Sequence, residues 1–252
     1  MQSPDTLPDA STERMERAKS RSVMIATPIA RNPTWEYTAS MLSTMLTLTD
    51  LGIRCTFQFV VGSSVVHKAR NELVAYFLAS DFTDLLFIDD DMQWSPNDVI
   101  RLLGSDKPLI GGVGRQRVQK PNSDPRVWCM RIPREMADPL RSDDMGCIEV
   151  GGFGAAFMLI NKIVFERMVE AHPEWALKAP SDWEQRIRPF YFEFFRQGHP
   201  DIPGDDTGED YVFCDRWRAL GEEVWVDPSI TLGHVGSYNY RGSVSEVLTA
   251  ST

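Results

Sequence analysis

The sequence contains no long hydrophobic segment and few cysteines. No apolar run approaches the roughly 18–20 residues that a membrane-spanning helix needs, and residues 1–22 are polar, without the apolar region of a signal peptide. The cysteines form no C-x-x-C pair, which argues against a zinc ribbon or a thioredoxin-like centre; they are Cys55, Cys129, Cys147 and Cys214. We therefore expect a cytoplasmic protein whose thiols are reduced.

Positive charge is also scarce. The 252 residues include 26 basic and 36 acidic side chains, which gives a net charge of −10. Proteins that hold nucleic acid mainly through its phosphates are usually basic. The balance argues against that mode of binding but leaves room for a local basic groove. One short basic stretch is able to meet phosphates, and it contains Lys107, Arg115, Arg117 and Lys120.

A glycine-rich dinucleotide fingerprint is absent as well. Neither Gly111-Gly112-Val113-Gly114 nor Gly151-Gly152-Phe153-Gly154 matches the pattern G-x-G-x-x-G. In a Rossmann dehydrogenase the fingerprint follows the first strand, where this chain has Thr27-Pro28. The sequence therefore argues against a dehydrogenase of that type.

What the sequence does contain is the composition of a globular domain, with 42% hydrophobic and 25% charged residues. Short apolar runs alternate with helical patterns, which predicts strands at 23–26, 53–61, 84–88 and 108–113, and helices at 34–50, 67–78 and from 95 onward. Such alternation is typical of a doubly wound, mainly parallel α/β sheet.

Beyond residue 113 the pattern is less regular. The sequence predicts hairpin strands at 127–132 and 147–150, a strand over 151–160, helices over 161–171 and 209–220, and a last strand at 224–226. An aromatic- and proline-rich loop over 172–207 is a candidate acceptor platform or lid, or else core packing; its aromatic residues include Trp183, Phe190, Tyr191, Phe192, Phe194 and Phe195. Residues 1–21, with a short helix at 11–19, and residues 237–252 are expected to be flexible tails around a single domain at 22–236.

The strongest chemical signal is a run of three carboxylates, Asp89-Asp90-Asp91, directly after the apolar strand at 84–88. In open α/β sheets, ligands bind outside the carboxyl ends of the strands. Residues i and i+2 of an extended segment point the same way, so Asp89 and Asp91 can converge on one cation. Carboxylate oxygens suit Mg²⁺ or Mn²⁺. The alternative is an acidic turn that only caps the next helix.

Three further segments carry polar groups that suit catalysis. Gly208-Glu209-Asp210 opens a predicted helix, where a carboxylate either complements the helix dipole or faces an acceptor as a general base. Arg70-Asn71 lies on the helix after the second strand, where an arginine either clamps phosphate or lies on a solvated face. His234 follows the last strand, and a lone histidine is more often structural than a metal ligand.

Taken together, these segments resemble the GT-A glycosyltransferases of the D-x-D, family-2-like type, which use nucleotide-sugar donors. The resemblance covers residues 22–236 and rests on an ordered set of segments: Thr27-Pro28, Ala69-Arg70-Asn71, Asp89-Asp90-Asp91, Gly151-Gly152, Gly208-Glu209-Asp210 and His234. It implies a GT-A type fold, with helices on both faces of the sheet and a smaller acceptor-side subregion. Residues 22–113 would form the nucleotide-binding half and 114–236 the acceptor-binding half.

The resemblance also implies roles for these residues. Mn²⁺ or Mg²⁺ would be held by Asp89, Asp91 and His234. The general base would be Asp210, or Glu209 if the helix is rotated. The remaining contacts to the donor would come from Thr27, Pro28, Arg70, Asn71, Asp89, Asp90, Gly151 and Gly152. The expected reaction moves one sugar, as in hexosyltransferases, from a nucleoside diphosphate, with UDP-sugars favoured, to an acceptor hydroxyl, and the acidic pair favours inversion.

The sequence departs from the processive members of that group and leaves alternatives open. Arg216-Trp217 has no glutamine three residues before it, so a Q-x-x-R-W motif is missing. A glycan acceptor is expected, and a hydroxylated DNA base is an alternative acceptor. A sugar-phosphate nucleotidyltransferase is a second reading, although residues 27–33 lack the glycine-rich loop of that class. A catalytically silent sugar-nucleotide-binding domain is the third.

Overall fold

A computed structural model describes residues 10–122, 124–133 and 140–249. Its strands are β1 (Val23–Ile29), β2 (Cys55–Val61), β3 (Asp84–Ile88), β4 (Met92–Gln93), β5 (Leu109–Gly111), β6 (Met130–Arg131), β7 (Ile148–Val150), β8 (Gly152–Phe153), β9 (Phe157–Asn161), β10 (Val224–Val226), β11 (Leu232–Val235) and β12 (Asn239–Gly242). Its helices are α1 (Ala10–Lys19), α2 (Trp35–Asp50), α3 (Val66–Leu78), α4 (Pro96–Leu103), α5 (Lys162–Ala171), α6 (Glu209–Ala219) and α7 (Ser245–Thr249). Within these ranges, none of the helices combines the length and apolar character that crossing a membrane requires.

A seven-stranded sheet forms the centre, in the order β2-β1-β3-β9-β5-β10-β7. Strands β1, β2, β3, β5 and β10 run parallel, whereas β9 and β7 are antiparallel to their neighbours. The predicted mainly parallel α/β sheet is therefore confirmed. The strand expected over 151–160 is divided, because β8 pairs with β6 while β9 lies between β3 and β5. The two predicted halves, 22–113 and 114–236, are thus interleaved in one sheet.

Helices cover both faces of this sheet because its inner strands are apolar on both sides. In β1, Val23 and Ile25 belong to a core that α1, α2 and α4 share. Met24 and Ala26 belong to a second core, shared with α3, α5 and α6. Successive side chains of a strand point to opposite faces, so one continuous apolar run supplies both cores.

Two predicted helices begin at side chains that cap them. The side chain of Thr34 accepts a hydrogen bond from the backbone of Tyr37 at the start of α2. Ser95 and Asp98 form a reciprocal capping box at the start of α4. The backbone N–H of Thr34 also donates to the carbonyl of Asp90 (2.9 Å), which ties the start of α2 to the acidic run.

Helix α2 buries Leu48 but leaves several of the other apolar residues that predicted it exposed. Trp35 and Leu46 are 73% and 62% exposed, while Ser40 and Thr44 are buried. Trp94 is the reason: its backbone N–H donates to Ser40 Oγ (3.2 Å) and its indole Nε1 donates to Thr44 Oγ1 (2.8 Å). The inward face of α2 therefore combines polar Ser40 and Thr44 with Tyr37 and Leu48.

The expected flexible tails are folded where the structure describes them. Arg17 on α1 donates to the carbonyl of Gly104 (3.1 Å), and Ala18 is buried. At the other end, β12 pairs with β11 and Val244 is buried. The short helix expected at 11–19 is confirmed as α1. Residues 10–21 and 237–249 nevertheless pack against the domain, which the sequence did not show because isolated apolar residues give no readable period. The remaining parts of the expected tails, 1–9 and 250–252, lie outside the described residues.

A second, three-stranded sheet lies at the carboxyl end of β3, in the order β12-β11-β4. Strand β4 follows Asp91 directly, and its antiparallel pairing with β11 sets His234 opposite Met92. The backbone N–H of Val235 donates to the carbonyl of Asp91 (2.8 Å). This small sheet is what brings the late histidine to the acidic run.

Candidate functional site

The acidic run Asp89-Asp90-Asp91 leaves the carboxyl end of β3, in the interior of the main sheet. The backbone N–H of Asp89 donates to the carbonyl of Ala156 (3.2 Å), between β8 and β9. The side chains of Asp89 and Asp91 are 32% and 22% exposed. The backbone of the run is therefore fixed, while its carboxylates remain partly open to solvent.

Arg70 on α3 is the buried centre of the site. Its guanidinium donates from Nη2 to Asp89 (3.1 Å), from Nε to Glu209 (3.2 Å) and from Nη1 to the carbonyl of Ala155 (3.4 Å). An unpaired charge in the interior is costly, so these partners also stabilise the arginine. One side chain thus joins the acidic run after β3 to the first turn of α6.

Asp210 lies next to this ion network and is largely buried. Its carboxylate accepts hydrogen bonds from the backbone N–H groups of Tyr211 (2.8 Å) and Ala155. Burial, followed by repulsion from Glu209, raises the pKa of Asp210 above its ordinary value, although Arg70 acts against the shift. A carboxylate with a raised pKa is a stronger proton acceptor, which suits a general base.

His234 and Asp91 form a second centre beside the first. Nε2 of His234 lies 3.3 Å from Oδ2 of Asp91, and Nδ1 lies 2.7 Å from the carbonyl oxygen of Arg115. A carbonyl only accepts, so Nδ1 carries a hydrogen and Nε2 faces the carboxylate. Burial lowers the pKa of His234, but hydrogen bonding and attraction by Asp91 outweigh it, and the pKa is raised. Metal-ligating histidines are commonly oriented by such a carbonyl behind the ring.

The predicted metal ligands Asp89, Asp91 and His234 do not form a three-residue cluster. Across the described ranges, no group of three or more His, Cys, Asp or Glu side chains is arranged to hold a metal ion. Asp89 is turned towards Arg70, whereas Asp91 and His234 face each other. Mg²⁺ usually takes one or two carboxylates from the protein and fills its shell with substrate phosphates and water. The Asp91–His234 pair therefore offers two protein ligands, one carboxylate and one imidazole.

The predicted nucleotide contacts at the end of β1 are only partly accessible. Thr27 is fully buried, and its Oγ1 lies 2.6 Å from the hydroxyl oxygen of Tyr37. Burial raises the pKa of Tyr37 to about 12. Pro28 is half-buried, and the Asp90 carboxylate accepts from the backbone N–H of Ala30, just beyond the strand. This corrects the expected role of Thr27, whose hydroxyl is used inside the protein, and leaves Pro28 and Asp90 at the surface of this edge.

Asn71 also has a different role from the expected one. Its Nδ2 donates to the carbonyl of Phe195 (2.9 Å), and its Oδ1 accepts from the Phe195 backbone N–H (2.8 Å). The residue is 2% exposed, so both ends of the amide are used within the protein. Asn71 therefore anchors the aromatic loop to α3 and does not offer its amide to a nucleotide.

We expect Asn71→Ala to lower the free energy of unfolding by about 2 kcal/mol or more, since it leaves a buried N–H and a buried carbonyl of Phe195 without partners. The measurement is urea denaturation of the wild type and the variant. A suitable control is Asn97→Ala, because Asn97 is exposed on the first turn of α4. Equal losses in the two variants would contradict the role assigned to Asn71.

Gly151 and Gly152, expected beside the donor sugar, are buried against protein atoms. A Cβ at Gly151 would lie 2.8 Å from the ring of Pro133, and a Cβ at Gly152 would lie 3.1 Å from Cβ of Cys214 on α6. Glycine at these positions permits the close approach of β8 to its neighbours. Packing is thus the role that their geometry supports.

Sequence reasoning missed the turn at 154–156 and the thiol of Cys129. Ala155 joins the Arg70 ion network to Asp210, since its carbonyl accepts from Arg70 and its N–H donates to Asp210. Burial, with the nearby charge of Asp210, raises the pKa of Cys129 to about 11. Backbone groups act whatever the residue type, so no sequence signal marks this turn.

The aromatic loop and the basic stretch are each divided by the fold. Phe194 and Phe195 are fully buried in the core, with Phe195 stacked on Phe213 at 4.4 Å between ring centroids. Trp183 is partly exposed and makes an edge contact with Tyr191. Lys107 pairs with Asp106 and Asp143, away from Arg115 and Arg117. Core packing therefore accounts for part of the loop, and the basic stretch does not form one patch.

The site therefore consists of the Arg70 ion network, the buried Asp210 and the Asp91–His234 pair. No family model matches the sequence, and a search of curated proteins finds no match. The functional interpretation rests on this geometry and on the order of the segments that build it.

Proposed function

We propose that the protein is a metal-dependent glycosyltransferase of the GT-A type, which moves one sugar from a nucleoside diphosphate, with a UDP-sugar as the favoured donor, to an acceptor hydroxyl. The observation that carries the proposal is the convergence of distant segments at the carboxyl ends of the parallel strands. Arg70 joins Asp89 to Glu209, and Asp91 meets His234. Ligands of open α/β sheets bind at this edge.

In this proposal Asp91 and His234 would hold Mn²⁺ or Mg²⁺. The cation would stabilise the negative charge that develops on the leaving diphosphate. Arg117 reaches Asp91 (2.9 Å) and is half exposed, so it is the arginine of this site that is open to phosphate oxygens. The guanidinium of Arg70 donates hydrogen bonds to Asp89, Glu209 and the carbonyl of Ala155. Arg70 therefore acts as a positioning residue for the two carboxylates.

Asp210 is the group placed to take the acceptor proton. Glu209 is engaged with Arg70, whereas Asp210 accepts only backbone N–H groups among the hydrogen bonds described for it. A base that takes the acceptor proton directly allows the hydroxyl to displace the diphosphate in one step, which is the inverting course.

Calorimetric titration of UDP, GDP and CMP, with and without Mn²⁺, tests this proposal. We expect one nucleotide to bind more tightly with Mn²⁺, and Asp91→Ala to weaken that binding at least about 10-fold, because the cation loses a protein ligand. Asp144→Ala is the matched control, since Asp144 is exposed and outside the site. If the folded protein binds none of the three nucleotides, the proposal is wrong.

A further inference from the structure

A cavity of about 580 Å³ lies between the 115–122 loop and strand β12. Its lining is largely basic, aromatic and amide, with Arg115, Lys120, Asn122, Tyr238, Tyr240 and Arg241. We call it the β12 cavity. It adjoins the Asp91–His234 pair, because the carbonyl of Arg115 accepts the hydrogen bond of His234.

The charge of Arg115 has no acidic partner among the described residues. The residue is 5% exposed, yet its guanidinium donates only to carbonyl oxygens, those of Gln116 and Lys120, and its Nε has no hydrogen-bond partner. The neighbouring Arg117 and Lys120 pair with Asp91 and Asp124, whereas Arg115 has no carboxylate oxygen of the described residues within 4.0 Å. A buried cation without a counter-charge is costly, so the cavity is built for an anion.

Aromatic and amide groups surround that cation. The guanidinium of Arg115 lies 5.4 Å from the centroid of the Tyr240 ring, and Tyr238 makes an edge contact with Tyr240 at 5.3 Å. Tyr238 is 67% exposed, so one face of its ring is open at the mouth of the cavity. The amide of Asn239 is used inside the protein, since its Nδ2 donates to Gln93 (2.7 Å) and its buried Oδ1 lies against Gly233 of β11. The exposed ring of Tyr238 is therefore the group that suits a flat partner.

We propose that the β12 cavity binds a nucleoside phosphate that belongs to the acceptor. The phosphate supplies the counter-charge of Arg115, and the base stacks on Tyr238. A neutral glycan would leave the charge of Arg115 unpaired. A basic groove with an exposed aromatic ring is how proteins hold single-stranded nucleic acid, and a free nucleotide has the same chemistry.

The assignment of this nucleoside phosphate to the acceptor rests on the proposed function, since the cavity adjoins that site through the contact between Arg115 and His234. Binding to the cavity itself does not depend on sugar transfer. The net charge of −10 restricts such binding to this local patch of basic residues. We therefore expect contacts to one or two phosphates only.

Fluorescence anisotropy with a labelled eight-residue oligothymidylate tests the inference, with thymidine monophosphate and inorganic phosphate as competitors. Tyr238→Ala should weaken binding about 10-fold, because a stacked base is lost, and Tyr238→Phe should retain it. Lys120→Gln should reduce the slope of log affinity against log salt by about 0.7, the contribution of one phosphate contact. Lys178→Gln removes an exposed lysine elsewhere and should leave the slope unchanged.

The competitors separate the two sources of the ligand. Unlabelled oligothymidylate is the reference competitor. If thymidine monophosphate displaces the labelled oligonucleotide at the same concentration as the reference, the ligand is a free nucleotide; if a higher concentration is needed, the ligand is a strand. Absence of binding, affinity that Tyr238→Ala does not change, or equal competition by inorganic phosphate would overturn the inference.

The calorimetric titration keeps the two proposals apart. Oligothymidylate binding without any Mn²⁺-dependent nucleotide binding supports the β12 cavity and overturns the proposed function. Mn²⁺-dependent nucleotide binding without oligothymidylate or monophosphate binding overturns only this inference. Arg115→Met is also tested if circular dichroism shows that it folds. Its affinity for the oligothymidylate should then be at least about 10-fold lower than that of the wild type.

Discussion

Asp210→Asn is expected to reduce the rate of sugar transfer by about 10²–10⁴-fold and to leave Mn²⁺-dependent nucleotide binding intact. The amide has nearly the shape of the carboxylate but cannot accept the acceptor proton. Because Asp210 lies beside Arg70 and not in the Asp91–His234 pair, its loss should not affect the cation. The measurement is release of the nucleoside diphosphate from the donor that the titration identifies.

The raised pKa of Asp210 gives this prediction a pH dependence. The base works only when it is ionised, so kcat/KM should fall as the pH drops through its pKa. Since burial raises that pKa, we expect a midpoint above the ordinary aspartate value of about 3.9. Asp50→Asn, an exposed residue at the end of α2, is the control and should keep wild-type activity. Activity of Asp210→Asn within a few-fold of wild type would reject Asp210 as the base.

Arg70→Met is expected to lower the free energy of unfolding by about 3–5 kcal/mol, the effect of removing one partner from a buried ion network. Methionine fills similar space but leaves the carboxylates of Asp89, Glu209 and Asp210 close together without a cation. Chemical denaturation at neutral pH gives the magnitude. The difference in the free energy of unfolding between the wild type and Arg70→Met should become smaller as the pH is lowered. Carboxylates that repel one another in a folded protein have raised pKa values, and their repulsion disappears when they are protonated.

Arg186→Met is the matched control for Arg70. Arg186 pairs with Glu184, and the two side chains are 59% and 56% exposed. Exposed pairs contribute little because water and salt screen them, so this variant should unfold like the wild type. A loss for Arg70→Met no larger than that for Arg186→Met would mean that the ion network does not hold α3, β3 and α6 together.

Much of the fold is determined by local sequence. Strands β3 and β10 begin and end where the apolar runs at 84–88 and 224–226 do. A strand that is buried on both faces is a continuous apolar run between polar residues, so its limits are visible without any partner. The caps at Thr34 and Ser95 are equally local, since each bonds to backbone within three residues.

The pairing of β9 and the packing of residues 10–21 and 237–249 depended on distant partners. The run at 151–160 carries one apolar pattern, and only the sheet divides it between β8 and β9. The inward face of α2 was set by Trp94, which hydrogen-bonds Ser40 and Thr44. Neither result has a signature in local hydrophobicity.

The sequence by itself determined which chemical groups this protein has at the carboxyl ends of its strands: the acidic run at 89–91, the pair at 209–210 and His234. The tertiary structure alone decided how they are used. It set Asp89 against Arg70 and Asp91 against His234, and it bonded the amide of Asn71 to the backbone of Phe195. Within the described ranges it also left Arg115 without a carboxylate partner. A polar side chain acts through the partners and the burial that it acquires, and in this fold those partners come from segments far apart in the chain.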